Sequence, residues 1–191
     1  MKRTFALRTL LLLALAGCTT ATPSPDPTTA TGPRCLEQSA SAAAGVKGLP
    51  AMALPCFDGG RYTNIADLAG QPTVVNLWGS YCAPCLQELP ALESFAKTAQ
   101  GKVRVVGIVT KDRHDMAQAV IDDKKITFPM LEDQGQQFAI AASPLVSKAL
   151  TALPATLFVT ADGRIAFAYQ GPALTEDATK ALVQEHLGVA V

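Results

Sequence analysis

Two cysteines that stand three positions apart, Cys82 and Cys85, are the residues whose types and spacing most directly indicate chemistry. Two thiols this close along a chain can form a disulfide and be reduced again, which is a two-electron exchange with another dithiol. A CxxC pair by itself is a weak signal, because similar spacings also occur in metal sites. The elements around the pair have to decide between these possibilities.

The pair stands where a predicted buried strand gives way to a predicted helix. Residues 73–78 form a β-branched, mostly apolar run with the length of a strand. After the pair, small and apolar residues recur at helical spacing: Leu86, Leu89, Leu92, Phe95, Ala96 and Ala99. A thiolate at a helix N-terminus faces free backbone N–H groups and the positive end of the helix dipole, so its charged form is favoured. We therefore predict that Cys82 is the nucleophile and that Cys85, one turn inside the helix, is the resolving thiol.

The first residues of the chain are typical of an export signal. Three basic residues among the first eight precede a short apolar run, residues 10–16, and small residues stand just before Cys18. The run is too short to cross a bilayer as a helix. Residues 15–18 resemble a bacterial lipobox, which implies a signal peptide over residues 1–17 and a lipid anchor on Cys18. An ordinary cleaved signal that happens to contain a cysteine is the alternative.

Residues 18–34 are predicted to be a lipidated linker. From residue 19 to residue 33 nearly every residue is Thr, Ala, Pro, Ser or Gly, a composition that does not bury apolar surface. Residues 35–191 then have the usual size of one domain. Sixteen Lys and Arg balance sixteen Asp and Glu, so no net charge favours nucleic acid as a partner.

The two remaining cysteines, Cys35 and Cys56, both precede the segment that carries the CxxC pair. In an exported protein disulfides persist, so we expect these two to form a structural disulfide. Closing a loop of about twenty residues would stabilise the fold by roughly 3 kcal/mol. Two alternatives stay open: a second redox-active pair, and a zinc site that uses all four cysteines. Zinc is disfavoured because only one pair has the tight spacing of paired ligands.

The rest of the chain alternates between strand and helix patterns. A turn signal at residues 58–60 predicts a small N-terminal β-hairpin. Further strands are expected at residues 103–109, 128–131, 153–159 and 164–169, and further helices at 116–125, 136–142 and 175–188. This order indicates an α/β fold in which a mixed β-sheet is covered by helices on both faces.

The segment from Trp78 to Cys85 is similar to the thioredoxin active site. Glu88-Leu89-Pro90 directly after it resembles the extracytoplasmic branch of that family typified by TlpA and ResA. The resemblance extends over about residues 46–188. It implies a thioredoxin fold with a central helical insert over residues 112–142.

The resemblance also implies a substrate-binding surface beside the dithiol. Trp78 and Tyr81 stand where the family has active-site aromatics, and Leu153-Pro154 stands where it has a cis-proline. A backbone held in that way lets residue 153 pair with an extended client segment next to Cys82. Trp78 could equally serve only for packing, and Pro154 could simply open a strand.

Two positions depart from better-known members of the family. Asn76 occupies the place of a buried aspartate in cytosolic thioredoxins, and an amide does not take up a proton, so we do not assign it as a general base. Ala83 stands between the cysteines where some ResA-like reductases carry a glutamate. The reduction potential of those reductases is therefore not transferred to this chain.

The function implied is that of a lipid-anchored reductase that acts on disulfides of exported proteins. The resemblance implies a membrane thiol-disulfide transporter as electron donor and apocytochrome c among the possible clients. The dithiol needs no cofactor, and no metal is assigned. The alternatives are an oxidase that inserts disulfides, a non-enzymatic binding lipoprotein, and a peroxidase of the peroxiredoxin type. The peroxidase is disfavoured because no lone cysteine follows a threonine and a proline.

Overall fold

The structure is a computed structural model that describes Cys35, Leu36 and residues 48–191. The expected signal peptide (residues 1–17), the lipid-anchored Cys18 and the linker (residues 18–34) lie outside the described residues. No helix within the described ranges has the length and apolar character needed to cross a membrane.

Seven strands and four α-helices occur in the part of the chain that the structure describes. The strands are β1 (Ala53–Pro55), β2 (Tyr62–Asn64), β3 (Thr73–Trp78), β4 (Arg104–Thr110), β5 (Met130–Asp133), β6 (Ala155–Val159) and β7 (Ile165–Tyr169). The helices are α1 (Ala83–Thr98), α2 (His114–Lys124), α3 (Gln137–Val146) and α4 (Glu176–Leu187). A short 3-10 helix, Ile65–Leu68, connects β2 to β3.

β3 is the central strand of a five-stranded sheet with the order β5-β4-β3-β6-β7. It runs parallel to β4 and antiparallel to β6, while β5 is parallel to β4 and β7 is antiparallel to β6. Every side chain of β3 is buried. A strand covered on both faces has no need of polar alternation, which explains its nearly continuous apolar sequence.

Two hydrophobic clusters lie on opposite faces of this sheet, because successive side chains of a strand point to opposite sides. Val75 and Leu77 belong to the cluster that also contains residues of α3 and of β1. Val74 and Trp78 belong to the cluster that contains residues of α1, α2 and α4. Helices therefore cover both faces, as the sequence predicts.

The N-terminal hairpin lies along the β5 edge of the sheet. β1 and β2 pair antiparallel, and the turn between them contains Gly59 and Gly60, whose φ angles are 81° and 73°. Glycine adopts this left-handed region without a steric cost. Beyond β1, Cys56 forms an antiparallel bridge with Leu131 of β5. The predicted hairpin is therefore an extension attached to the edge of the main sheet.

The central insert consists of two helices with a strand of the sheet between them, in agreement with the strand predicted inside it. Between α2 and α3 the chain forms β5, which pairs with β4 from Gly107↔Met130 onward. The predicted strand began at Phe128, two residues too early. Pro129 has no N–H to donate to the ladder, so pairing starts only at Met130. With this addition the architecture confirms the expected thioredoxin fold.

Candidate active site

The CxxC pair lies at the junction between β3 and α1. After Trp78 the chain makes a turn over residues 79–82, closed by the amide of Cys82 donating to the carbonyl of Gly79 at 3.1 Å. Helix α1 begins at Ala83, and Cys82 is its N-cap, with Sγ accepting a bond from the amide of Cys85 at 3.3 Å. The sulfur of Cys82 therefore stands at the positive end of the helix dipole, as the sequence predicts.

Cys82 and Cys85 are joined in a disulfide, with their Cα atoms 5.2 Å apart. That distance is within the range of ordinary protein disulfides. The two residues differ in access: Cys82 is 7% exposed, whereas Cys85 is fully buried. A reagent that approaches from solvent therefore meets Cys82 and not Cys85.

A buried polar cluster lies one helical turn beyond Cys85, on the same side of the sheet. Nδ2 of Asn76 donates to Oε1 of Glu88 at 2.7 Å and to Oγ1 of Thr156 at 3.0 Å. The other carboxylate oxygen of Glu88 accepts a bond from the amide of Leu174 at 3.1 Å. Burial raises the pKa of Glu88, although these hydrogen bonds to its carboxylate partly offset the effect. The site thus holds a carboxyl group that can take up a proton at a higher pH than an exposed glutamate can.

Glu88 is the residue that our sequence analysis did not include in the site. A signal for it exists, since position 88 falls three residues after Cys85 and four before Leu92, on the buried stripe of α1. A glutamate on a mostly apolar helical stripe indicates a buried carboxyl group that has to find polar partners inside the protein. In the structure Glu88 is fully buried, so its carboxylate is not part of the solvated surface of α1.

Trp78 lies behind the turn and is fully buried. Its Nε1 donates to Sδ of Met130 at 3.4 Å. Room for the thioether comes from Gly107, where a Cβ atom would collide with that sulfur. This geometry favours the packing role for Trp78 over contact with a client.

The other predicted binding residues differ in exposure: Tyr81 is exposed, Leu153 is half-buried and Pro154 is buried. Tyr81 is 59% exposed, and its hydroxyl donates to the carbonyl of Thr110 at 3.1 Å. The bond between Leu153 and Pro154 is cis, as the resemblance implies. Leu153 packs against the cluster that contains both active-site cysteines. Tyr81 and Leu153 are thus both at least partly accessible to solvent.

Cys35 and Cys56 form the second disulfide of the structure, with their Cα atoms 5.3 Å apart. Both residues are almost fully buried, and Oγ1 of Thr63 lies 3.0 Å from one sulfur and 3.5 Å from the other. Among the described residues only Asp58 brings a third potential metal ligand close to them. A structural zinc site takes four ligands, and thiolates joined in a disulfide are not ligands. The arrangement therefore does not fit the zinc alternative.

Known proteins that are similar to this chain include thiol-disulfide exchange proteins and a thioredoxin-like protein. DsbE, the thiol:disulfide interchange protein of Xylella fastidiosa (strain Temecula1), is 30% identical over 131 residues, which are 65% of this chain and 60% of that protein. The thiol-disulfide oxidoreductase ResA of Halalkalibacterium halodurans is 24% identical over 59% of this chain and 61% of its own. The thioredoxin-like protein YneN of Bacillus subtilis is 31% identical over 78 residues. The matches to YneN and DsbE span 46% and 60% of those relatives.

Solved structures confirm the fold. A thiol:disulfide interchange protein of the thioredoxin family from Chlorobium tepidum superposes with a TM-score of 0.64 at 22% identity, covering 76% of this chain and 99% of that one. A secreted Mycobacterium tuberculosis disulfide oxidoreductase homologous to E. coli DsbE gives 0.62 at 23% identity, covering 71% and 96%. Residues 47–168, well over half of the chain, match the AhpC/TSA family. By this match the chain is a member of the AhpC/TSA family.

Proposed function

We propose that this protein is a thiol-disulfide oxidoreductase that reduces disulfides of exported proteins through Cys82 and Cys85. The observation that carries the proposal is the unequal access of the two bonded sulfurs at the start of α1. One sulfur faces the approach of a client and the other is shielded behind it, which is the order that a two-step exchange requires. The names of the DsbE and ResA relatives support the same activity.

In the proposed reaction the reduced protein is the electron donor. The thiolate of Cys82 attacks one sulfur of a client disulfide, which forms a mixed disulfide and releases the other client sulfur as a thiolate that takes up a proton. Cys85, as a thiolate, then attacks the sulfur of Cys82, and the second client thiol leaves. The client gains two electrons and two protons, and the protein is left with the Cys82–Cys85 disulfide.

Glu88 has the properties needed to assist the second step. Cys85 is fully buried and must lose its proton before it can attack. Glu88 follows one turn later on α1, and burial raises its pKa toward the range in which it can accept a proton and return it. We assign the carboxylate of Glu88 as the proton acceptor for Cys85.

The client surface in this proposal is formed by Tyr81, Leu153 and Pro154. The register of β6 with β3 pairs Ala155 with Leu77, so Pro154 comes next to the end of β3, where the active-site turn begins. An extended client segment that lies along Leu153 would place its disulfide beside Cys82. The exposed ring of Tyr81 would flank the same segment.

We further propose that the protein acts outside the cytoplasm, anchored by a lipid on Cys18 and held off the membrane by the linker of residues 18–34. The export signal in the sequence and a secreted structural neighbour support this location. Oxidised protein must be reduced again, and a membrane thiol-disulfide transporter is the proposed donor. Apocytochrome c is a proposed client, since its haem-binding cysteines have to be reduced before haem is attached.

The experiment is reduction of a disulfide-linked peptide by the purified protein with dithiothreitol as the source of electrons. The Cys82→Ser and Cys85→Ser proteins should lose the catalysed rate. The matched control is the double variant Cys35→Ser, Cys56→Ser, which removes a disulfide of similar Cα separation but should keep the rate. Full function in cells without Cys82 and Cys85 would instead identify a non-enzymatic binding protein.

A further inference from the structure

The turn that carries Cys82 is tied to the end of β4 at two points. The hydroxyl of Tyr81 donates to the carbonyl of Thr110, the last residue of that strand. One residue earlier in the turn, Ser80 contacts the carboxylate of Asp112, two residues beyond the strand. Both ties therefore fix the active-site turn relative to a strand of the central sheet.

The Asp112 carboxylate is held by three hydrogen bonds. Oδ2 accepts from the amide of Ser80 at 2.5 Å, and Oδ1 accepts from Oγ of Ser80 at 2.9 Å and from the amide of Arg113 at 2.8 Å. Asp112 is only 8% exposed. No lysine or arginine in the described part of the chain forms a salt bridge with it. The turn is thus held by a carboxylate that forms no salt bridge with a described lysine or arginine.

The residue that binds this carboxylate, Ser80, stands just before the nucleophile in the same turn. Ser80 and Cys82 are two residues apart, so their Cα atoms are separated by at most about 7 Å. The Tyr81 phenol, between them, shows the influence of the same carboxylate: burial first, and then the charge of Asp112, raise its pKa. A thiolate formed at Cys82 would meet the same repulsion.

We propose that Asp112 is a positioning residue for Cys82, which fixes the active-site turn through Ser80 and opposes the thiolate with its own charge. The helix terminus stabilises the thiolate of Cys82, and Asp112 counteracts that stabilisation. A less stable thiolate makes the dithiol a stronger reductant. Asp112 therefore keeps the reduction potential of the Cys82–Cys85 pair more negative. The inference rests on the proposed function, because it explains why electrons would pass from this dithiol to the client and not in the opposite direction.

The side chains of two other ionisable residues in this region, Glu88 and Arg113, are bound by partners outside the turn of residues 79–82. Glu88 is buried beyond Cys85, where it is held by Asn76 and Leu174. The guanidinium of Arg113 is bound by Asp115 at 2.7 and 2.9 Å on the exposed side of α2. Among the described hydrogen bonds, only those of Asp112 bring a carboxylate to the turn itself.

The test compares variants of the reduced full-length protein by the pH at which alkylation of Cys82 reaches half its maximal rate, with Cys82 identified by peptide mass. Asp112→Asn removes the charge and should lower this midpoint by about one pH unit, as expected for loss of a nearby like charge. The reduction potential of the Cys82–Cys85 pair should become less negative. The control is Asp115→Asn, which removes an exposed carboxylate three residues away and should leave both readouts unchanged.

Two further variants separate the charge from the shape of the turn. Ser80→Ala removes one hydrogen bond and keeps the charge, so the midpoint should stay while attack on a peptide disulfide slows several-fold. Asp112→Glu also keeps the charge and should keep the midpoint. A folded Asp112→Asn protein with wild-type midpoint and potential overturns the proposal. If that variant does not fold, a midpoint shifted by half a unit or more in Asp112→Glu overturns it as well. Alkylation needs no client, so this outcome is independent of whether the protein acts as a reductase.

Discussion

Nδ2 of Asn76 lies 2.7 Å from Oε1 of Glu88, and the amide oxygen of the same asparagine has no hydrogen-bond partner among the described residues. A buried acceptor without a partner is uncommon and calls for an explanation. If Glu88 takes up a proton, rotation of the Asn76 amide would let this oxygen accept the new O–H. Asn76 can therefore form a hydrogen bond with Glu88 in both protonation states of the carboxyl group.

Replacement of Glu88 by glutamine should slow the second step of the exchange. Glutamine accepts no proton from Cys85, so release of the client from the mixed disulfide should fall by about 10²-fold, the usual range for loss of a proton-transfer group. Single-turnover kinetics with a peptide disulfide measures this step separately from the attack of Cys82.

The control for this variant is Glu93→Gln on the same helix. Burial, which raises the pKa of Glu93, is outweighed by hydrogen bonds from Thr127 and by the nearby Lys97, so this pKa is lowered. The carboxylate of Glu93 binds Thr127 and Lys97 and forms no hydrogen bond with the Asn76 cluster. Equal slowing in both variants would show a general effect of altering α1 and would remove Glu88 from the mechanism.

Replacement of Glu88 by glutamine should also change how the stability of the protein depends on pH. Because burial raises the pKa of Glu88 above its ordinary value of 4.5, the folded protein binds this proton more tightly than the unfolded chain does. The free energy of unfolding contributed by this group therefore falls as pH rises from about 4.5 through the raised pKa. Denaturant titrations over that range should show this decrease in the wild-type protein and its loss in Glu88→Gln. An unchanged difference between the two proteins across that range contradicts the prediction.

Cys82 should be the residue that forms the mixed disulfide, since it alone of the pair is accessible. The Cys85→Ser protein keeps the nucleophile and lacks the resolving thiol, so it should accumulate covalent complexes with clients. Non-reducing electrophoresis followed by peptide mass mapping identifies the linked cysteine. The reciprocal variant, Cys82→Ser, should form almost none; equal trapping through Cys85 would reverse the assignment.

Cys35 and Cys56 should remain bonded while Cys82 and Cys85 cycle, because both sulfurs are buried beneath the hairpin. Mild reductant, alkylation and peptide mapping should label only the active-site pair. The double variant Cys35→Ser, Cys56→Ser should lose roughly 3 kcal/mol of stability, as expected for a loop of this length. Labelling of all four cysteines at one potential would instead make the protein a relay with two redox centres.

The Cys82–Cys85 pair should have a reducing potential, nearer to about −270 mV than to the −120 mV or so of strong disulfide-forming oxidants. Ala83 and Pro84 donate no side-chain hydrogen bond or charge to the sulfur of Cys82, so only the helix terminus stabilises its thiolate. Equilibration against glutathione and dithiothreitol buffers, followed by alkylation, gives the value. A potential close to that of the strong oxidants would favour the oxidase over the reductase.

The features that depend on local pattern could be predicted from the sequence. Residues 73–78 coincide with β3, and Thr175 is the N-cap of α4, with its side chain accepting from the amide of Ala178. The position of Cys82 at the start of α1 follows from the same kind of signal. Such features are set by neighbours in the chain, so a single sequence contains them.

The features that depend on distant parts of the chain could not be predicted in this way. Asp112 reaches Ser80 from 32 positions along the chain, and Leu174 reaches Glu88 from 86 positions. The burial of Trp78 against Met130 likewise depends on how β4 and β5 pair. These contacts are consequences of sheet topology, to which local residue patterns give no direct access.

The hairpin that carries Cys56 also determines which surfaces of the sheet remain available to other chains. The outer strand β5 is four residues long, and Cys56 and Phe57 pair with Leu131 and Met130 along it. A strand edge with free N–H and C=O groups is a template for pairing between molecules. The Cys35–Cys56 disulfide joins this covering segment to a second part of the chain, so its consequence is to stabilise the cover of the β5 edge against pairing with another strand.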